Sequence, residues 1–188
     1  MDWLFLIPLA IGFALVGASA FTAAYSKRWS ERGGQLATFI LRNVLGIPLL
    51  MLAFFLAWRV PTPLLFPSSK VIQGLGWFLI AIGLVPIISG HLTLRWRTHM
   101  PSVRDFLVRR ELYSYVRHPI YGGMMLGFIG LALLRPTSAV VVACTLGLGM
   151  FFVQSRLEEL DLLQRLPAYR EYMTEVPAFL PRLSKKQK

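Results

Sequence analysis

A polar sequence, YVRHPIYGG at residues 115–123, stands at the start of an apolar run. Arg117 and His118 come directly before Pro119, a residue that suits the first turn of a helix. The free N–H groups at such a helix start form a partial positive pole beside these two side chains. The residue types therefore predict a polar, charge-bearing site at the beginning of this helix.

A second polar cluster, QSRLEEL at residues 154–160, follows the next apolar run. Arg156 and Glu159 are spaced to pair along a helix, and so are Gln154 and Glu158 on a neighbouring face. A charged exit from a membrane would look the same. However, a short connection between the two runs places His118 and the glutamates at one membrane boundary, where ionisable groups indicate a functional site.

The elements that position these clusters are membrane helices. The chain of 188 residues is 55% hydrophobic and 15% charged, which predicts an all-α integral membrane protein folded as one bundle. The net charge is +11, and its basic residues lie between and after apolar runs. They therefore indicate orientation of the chain in the membrane and contact with anionic lipid, and no nucleic-acid partner. The single cysteine, Cys144, is a candidate packing residue.

About five transmembrane helices are predicted, at residues 3–25, 36–60, 71–96, 119–134 and 137–154. The last two form a helical hairpin that turns at Arg135 and Pro136. No basic residue or cleavage boundary marks the first run as a signal peptide, so we expect it to be retained. Most lysines and arginines fall on one side of this topology, which predicts a cytoplasmic C-terminus and a cytoplasmic RHP motif.

Several features have two interpretations. The helix face formed by Gly123, Gly127 and Gly130 favours close helix packing over a cofactor surface. The tail at residues 166–183 is either an interfacial belt or a lid over the polar cluster. Arg42 and Asn43, within the second span, form either a packing pair or an acceptor contact.

The remaining histidines, His91 and His99, lack a cysteine or acidic partner at metal-ligand spacing. The sequence therefore predicts no metal site, and it favours an interfacial structural role for both residues.

Three segments together resemble one family. LYSYVRHPIYGG at 112–123, RLEELDLL at 156–163 and YREYMTEVPAFLPRL at 169–183 are similar to the isoprenylcysteine carboxyl methyltransferase and phospholipid methyltransferase superfamily. The resemblance implies N-terminal helices at 1–70, a catalytic region at 71–183 and a basic tail at 184–188. One departure is RRELY at 109–113, which stands where the family has a turn glycine.

The resemblance implies an S-adenosylmethionine-dependent methyltransferase whose C-terminal half holds the cofactor at the cytosolic face. The cofactor contacts carried over are Leu107, Val108, Tyr113, His118, Pro119, Ile120, Tyr121 and Glu158. Arg156 and Glu159 are the candidate catalytic residues, and Glu159 is also an alternative to Glu158 as the cofactor contact.

Methyl transfer from a sulfonium needs no metal, and the protein mainly aligns the reactants and excludes water. The expected acceptor is lipophilic: a prenylcysteine-like carboxylate, a phospholipid headgroup or a small thiol. Two alternatives stay open, an NADPH-dependent sterol-type reductase and a non-catalytic membrane scaffold.

Overall fold

The computed structural model describes residues 3–182, so the predicted basic tail at 184–188 lies outside the described residues. The described chain is helical, and its β-structure is limited to one isolated bridge between Leu64 and Thr137. This architecture confirms the all-α prediction. The α-helices are α1 (Leu6–Ala18), α2 (Thr22–Phe39), α3 (Ile47–Arg59), α4 (Lys70–Leu94), α5 (Pro119–Leu134), α6 (Ser138–Arg165) and α7 (Tyr169–Glu175).

Within residues 3–182, three stretches are long and apolar enough to cross a membrane: Thr22–Arg59, Lys70–Thr98 and Ser138–Arg165. Helices α1 and α5 are apolar but shorter. The 16 residues of α5 extend for about 24 Å, less than the roughly 30 Å of a bilayer core. Helix α6 continues to Arg165, beyond residue 154, where the predicted membrane span ends, and its last turns bury Glu159 and Asp161 against arginine partners.

The predicted first span at residues 3–25 is wrong as a single helix. Helix α1 ends at Ala18 and α2 begins at Thr22. The Ser19 hydroxyl donates to the Val16 carbonyl at 2.6 Å, and such local bonds compete with helix continuation. Phe21 then has non-helical backbone angles, with φ −88° and ψ 52°. Apolar length alone did not reveal this break.

A second irregularity lies in the following stretch. Helix α2 is interrupted at Ser30, whose φ is 74°. A π-helical segment, Ile40–Gly46, then joins α2 to α3. Because π-helical turns widen a helix and often occur at functional sites, this segment is a distinct place to present Arg42 and Asn43.

Helices α4 and α5 pack antiparallel with their backbones in close contact. A Cβ added to Gly123 would lie 2.3 Å from the Gly83 carbonyl oxygen, and one added to Gly130 would lie 2.6 Å from that of Gly76. These distances leave no room for a side chain, which confirms the packing interpretation for Gly123 and Gly130. Gly127 instead faces open space. The contact places the start of α5 beside the end of α4.

The α4–α5 contact generates a matched test within one helix. Gly123→Ala should cost about 1 to 3 kcal/mol because the methyl group forces two backbones apart. Gly127→Ala should be neutral or stabilising by up to about 1 kcal/mol, since alanine favours helix and meets no neighbour. Thermal unfolding of the two variants in detergent micelles measures the difference. Equal melting temperatures would contradict the packing described.

Candidate active site

The C-terminal tail folds back onto the RHP motif. The backbone N–H of Arg117 donates to the Pro177 carbonyl and that of His118 donates to the Ala178 carbonyl, both at 2.9 Å. The Phe179 ring lies 5.7 Å from the His118 ring, centroid to centroid. These bonds satisfy N–H groups just before α5, where no helical partner exists. The sequence predicts that the tail is either an interfacial belt or a lid over the polar cluster, and in the structure it covers the cluster.

Glu159 lies at the centre of a buried ion cluster. Its Oε1 accepts from Arg117 Nε at 2.9 Å and contacts His118 Nε2 at 3.0 Å. Its Oε2 accepts from Arg156 Nη1 at 2.9 Å. Arg117 also donates to the carbonyls of Met173 and Val176. The start of α5, the end of α6 and the tail are thus joined through one carboxylate, and the expected meeting of His118 with the glutamates is confirmed.

The tail is held from a second direction by tyrosines. The Tyr172 hydroxyl donates to the Tyr113 carbonyl at 2.6 Å, and both residues are buried. Burial raises the pKa of Tyr172 to about 12, so this hydroxyl stays protonated and remains a donor at neutral pH. Helix α7 therefore fixes the short 3₁₀ turn, Glu111–Ser114, that precedes the RHP motif.

A cavity of about 600 Å³ opens between the helices and the tail. Pro119, Arg156 and Glu159 are not among its lining residues, and the Arg156 side chain is 70% exposed. The cofactor contact predicted for Pro119 and the catalytic roles predicted for Arg156 and Glu159 stay predictions, and so do the roles of the residues that line the cavity. The cavity walls include seven of the eight predicted cofactor contacts: Leu107, Val108, Tyr113, His118, Ile120, Tyr121 and Glu158.

Glu158 is the carboxylate of this pair that faces the cavity. It accepts from the Tyr121 hydroxyl at 2.5 Å and from Gln154 Nε2 at 3.3 Å. Within residues 3–182 the buried Gln154 Oε1 has no hydrogen-bond partner. Because buried polar atoms are normally satisfied, Glu158 and Gln154 together present acceptor atoms suited to a ligand that carries hydroxyl or ammonium donors.

The N-terminal half contributes polar residues that the sequence left open or treated as structural. Arg42 Nη1 lies 3.6 Å from Glu158 Oε1, and its Nη2 donates to the Thr98 carbonyl. Asn43, His91 and His99 line the same cavity. The available signal was the position of Arg42 inside an apolar run, where charges are costly and usually functional. Nothing in their spacing linked the two histidines to Arg42.

The described part of the chain contains no group of three or more histidine, cysteine, aspartate or glutamate side chains able to hold a metal ion.

A match over the C-terminal part of the chain assigns the protein to a membrane methyltransferase family. Residues 71–168, just over half of the chain, match the phospholipid methyltransferase family, and the chain belongs to that family. This match confirms the superfamily resemblance and does not favour a reductase or a scaffold.

Individual relatives carry different names. The chain is 27% identical to a methanethiol S-methyltransferase of a Pseudomonas species, covering 93% of this chain and 75% of the relative. It is 29% identical to a probable protein-S-isoprenylcysteine O-methyltransferase of Oryza sativa, covering 95% of each chain. It is 28% identical to the cobalt-zinc-cadmium resistance protein CzcN of Cupriavidus metallidurans, covering 79% of this chain and 68% of the relative. No solved structure matches the chain.

Substitutions of Glu159 and Arg156, two members of the ion cluster, should lower the free energy of unfolding by different amounts. Glu159→Ala should destabilise the fold by about 3 to 5 kcal/mol, because the buried Arg117 loses its counter-charge. Arg156→Ala should cost less than about 1 kcal/mol, since an exposed ion pair contributes little. Thermal unfolding in the same detergent measures both. A Glu159→Ala protein as stable as Arg156→Ala would show that the carboxylate is not the centre of the cluster.

Proposed function

We propose that this chain transfers a methyl group from S-adenosylmethionine to a lipophilic acceptor at the membrane surface. The observation that carries the proposal is the Glu158 cluster. A carboxylate, a tyrosine hydroxyl and an unsatisfied amide oxygen line one cavity beside the RHP motif. The chain belongs to a methyltransferase family, and this membership supports methyl transfer as the reaction at the cavity.

The lining residues fit the cofactor. Glu158 and Gln154 Oε1 would accept from its ribose hydroxyls or ammonium group, and the rings of Tyr113 and Tyr121 would contact its cationic part. Leu107, Val108 and Ile120 would complete the predicted contacts, with His118 near the carboxylate. Pro119 does not line the cavity and stays a predicted contact. When bound, S-adenosylmethionine supplies an electrophilic methyl group on a sulfonium sulfur.

The residues that do not line the cavity have other proposed roles. Glu159 holds His118 and Arg117 in place, so it acts by positioning the RHP motif. Arg156 stays a candidate to contact the polar end of an acceptor, because its guanidinium is exposed next to Glu159. Arg117, in contrast, does line the cavity. Its N–H groups already bond to Glu159 and two tail carbonyls, so Arg156 is preferred to it as the acceptor contact.

A lipophilic acceptor fits the composition of the cavity. Much of its wall is apolar and comes from α1, α3 and α5, including Phe13, Phe54 and Phe128. Such a wall favours binding of an alkyl or prenyl chain by removing apolar surface from water. The relatives are named for a small thiol and for isoprenylcysteine, and a phospholipid headgroup is the third acceptor class of the proposal.

The topology proposed with this function keeps about five membrane spans and a cytoplasmic C-terminus. The basic residues between and after the apolar runs support that orientation. The cofactor cavity then opens at the cytosolic face, where water-soluble S-adenosylmethionine reaches it. Residues 71–183 form the proposed catalytic region and residues 1–70 the N-terminal helices, to which Arg42 belongs.

Calorimetry with S-adenosylhomocysteine tests the cofactor assignment. The purified protein should bind it, and Glu158→Gln should weaken binding at least tenfold because the amide is a poorer partner for the cofactor's donors. Glu171→Gln, an exposed change on α7 outside the cavity, should bind as the unmodified chain does. Selective binding of NADPH would favour the reductase, and binding of neither ligand would favour the scaffold.

A labelling experiment tests the acceptor. Membranes that contain the protein, incubated with methyl-labelled S-adenosylmethionine, should transfer label to a product that extracts into organic solvent or escapes as a volatile thioether. The Glu158→Gln protein, whose cofactor binding should be weaker, serves as the control and should transfer less label. Label found in water-soluble products alone would contradict a lipophilic acceptor.

A further inference from the structure

The hydrogen bonds of the cavity histidines fix their tautomers. His91 Nδ1 lies 2.8 Å from the Ile87 carbonyl oxygen. A carbonyl oxygen can only accept, so Nδ1 carries the proton and donates. In a neutral imidazole the other nitrogen, Nε2, then bears a lone pair.

His99 reaches the same state through Asn43. Asn43 Nδ2 donates to the Phe39 carbonyl at 3.3 Å, which orients the amide so that its Oδ1 faces His99 Nδ1 at 3.0 Å. His99 Nδ1 is therefore the protonated nitrogen, and Nε2 is again the one with the lone pair. Within residues 3–182 neither Nε2 has a hydrogen-bond partner.

The two imidazoles lie close to each other in the cavity lining. Their ring centroids lie 5.9 Å apart, and both residues line the cavity. Arg42, from the π-helical segment, is the charged residue that acts on His99. Glu158 from α6 and the Arg97–Asp105 pair, which is 3.5 Å apart, line the same cavity, as do Arg117, Asp161 and Arg165. Burial first, and then the charges of Arg42 and His91, lower the pKa of His99, which keeps it neutral at pH 7.

We propose that His91 and His99 form the proton-accepting subsite for a thiol acceptor, a role that rests on the proposed methyl transfer. The thiol S–H gives its proton to an imidazole Nε2, leaving a thiolate beside Arg42. The thiolate lone pair forms a bond to the methyl carbon, and the methyl–sulfonium bond breaks with its electron pair on the donor sulfur. The imidazolium then releases its proton to water.

The charges of this subsite select a thiol among the three acceptor classes. A carboxylate is already anionic at pH 7 and needs no base. An ammonium headgroup must lose a proton too, but the ordinary pKa of an alkylammonium, about 10.4, lies well above that of a thiol, so a neutral imidazole is a poorer base for it. A thiol has an ordinary pKa of about 8.5, so it needs a base, and its anion is stabilised by the neighbouring guanidinium.

Nitrogen NMR of the protein tests the subsite without turnover. With ¹⁵N-labelled histidine in micelles at pH 7.5, the resonances lost in His91→Gln and in His99→Gln should both report protonated Nδ1 and unprotonated Nε2. Protonated Nε2 on both rings would overturn the proposal, because neither imidazole could then accept a proton from the cavity.

Kinetics with two acceptors provides the second test. Octanethiol has an S–H nucleophile, whereas S-farnesyl-N-acetylcysteine offers only a carboxylate. At pH 7 the double variant His91→Gln/His99→Gln should lose about 10²- to 10⁴-fold in kcat/KM for the thiol, the usual contribution of a general base. Transfer to the carboxylate, where the chain supports it, should change less than about threefold.

The pH profile separates the base from a structural role. In the unmodified chain, kcat/KM for octanethiol should rise with a midpoint below the ordinary imidazole pKa of about 6.5 and then reach a plateau, because the pKa of His99 is lowered. In the double variant it should keep rising toward the ordinary thiol pKa, because only free thiolate then reacts.

Substitution of the neighbouring arginine tests the stabilisation of the thiolate. Arg42→Gln should lower thiol transfer, and Arg59→Gln, an exposed change at the end of α3, should not.

The outcomes distinguish this inference from the proposed function. An unmodified chain that binds S-adenosylhomocysteine but methylates only carboxylates or amines overturns the thiol subsite and leaves the methyltransferase. The same pH profile before and after the histidine substitutions also overturns it. Failure to bind S-adenosylhomocysteine removes the proposed function itself. The pH profile of the unmodified chain decides the question even where the double variant does not fold.

Discussion

The arrangement of this site depends on one buried carboxylate. Glu159 is 2% exposed, and a charge removed from water in this way requires close partners. Those partners are Arg117, His118 and Arg156. Arg117 in turn binds two carbonyls of the tail. A single desolvated charge therefore sets three positions: the start of α5, the rotation of α6 and the path of the chain after α7.

Glycine packing supplies the complementary constraint. Because α4 and α5 touch through backbone at Gly83 and Gly123, the end of α4 lies close to the RHP motif. The chain that continues from α4 brings the Thr98 carbonyl to Arg42 and His99 to Asn43. Arg42 also reaches Glu158. The N-terminal helices and the family-matched region thus share one cavity, joined by a side chain that comes from outside residues 71–168.

The sequence was sufficient for the helical class, the α5–α6 hairpin and the meeting of His118 with the glutamates, because a short turn at Arg135 leaves little freedom. It did not separate Glu158 from Glu159. Adjacent helical residues differ by about 100° in direction, so the choice depends on how α6 is rotated. That rotation follows from Arg117, which lies 42 residues before Glu159 in the chain, and from the tail carbonyls that hold Arg117. The break after Ala18 likewise depends on a hydroxyl bond rather than on hydropathy.

Glu111 indicates where this chain departs from its family and what it retains. Its φ is 54°, a left-handed backbone conformation that glycine adopts freely and that costs other residues roughly 1 to 3 kcal/mol. Glu111 stands where the resemblance places the turn glycine. The carboxylate accepts from the Thr93 hydroxyl on α4, which offsets part of that strain. The backbone turn that presents Tyr113 is therefore kept, while a charged side chain is added next to it. Under the proposed function, a change that preserves the backbone of the cavity but alters the charge near its edge is expected to affect acceptor choice more than cofactor binding.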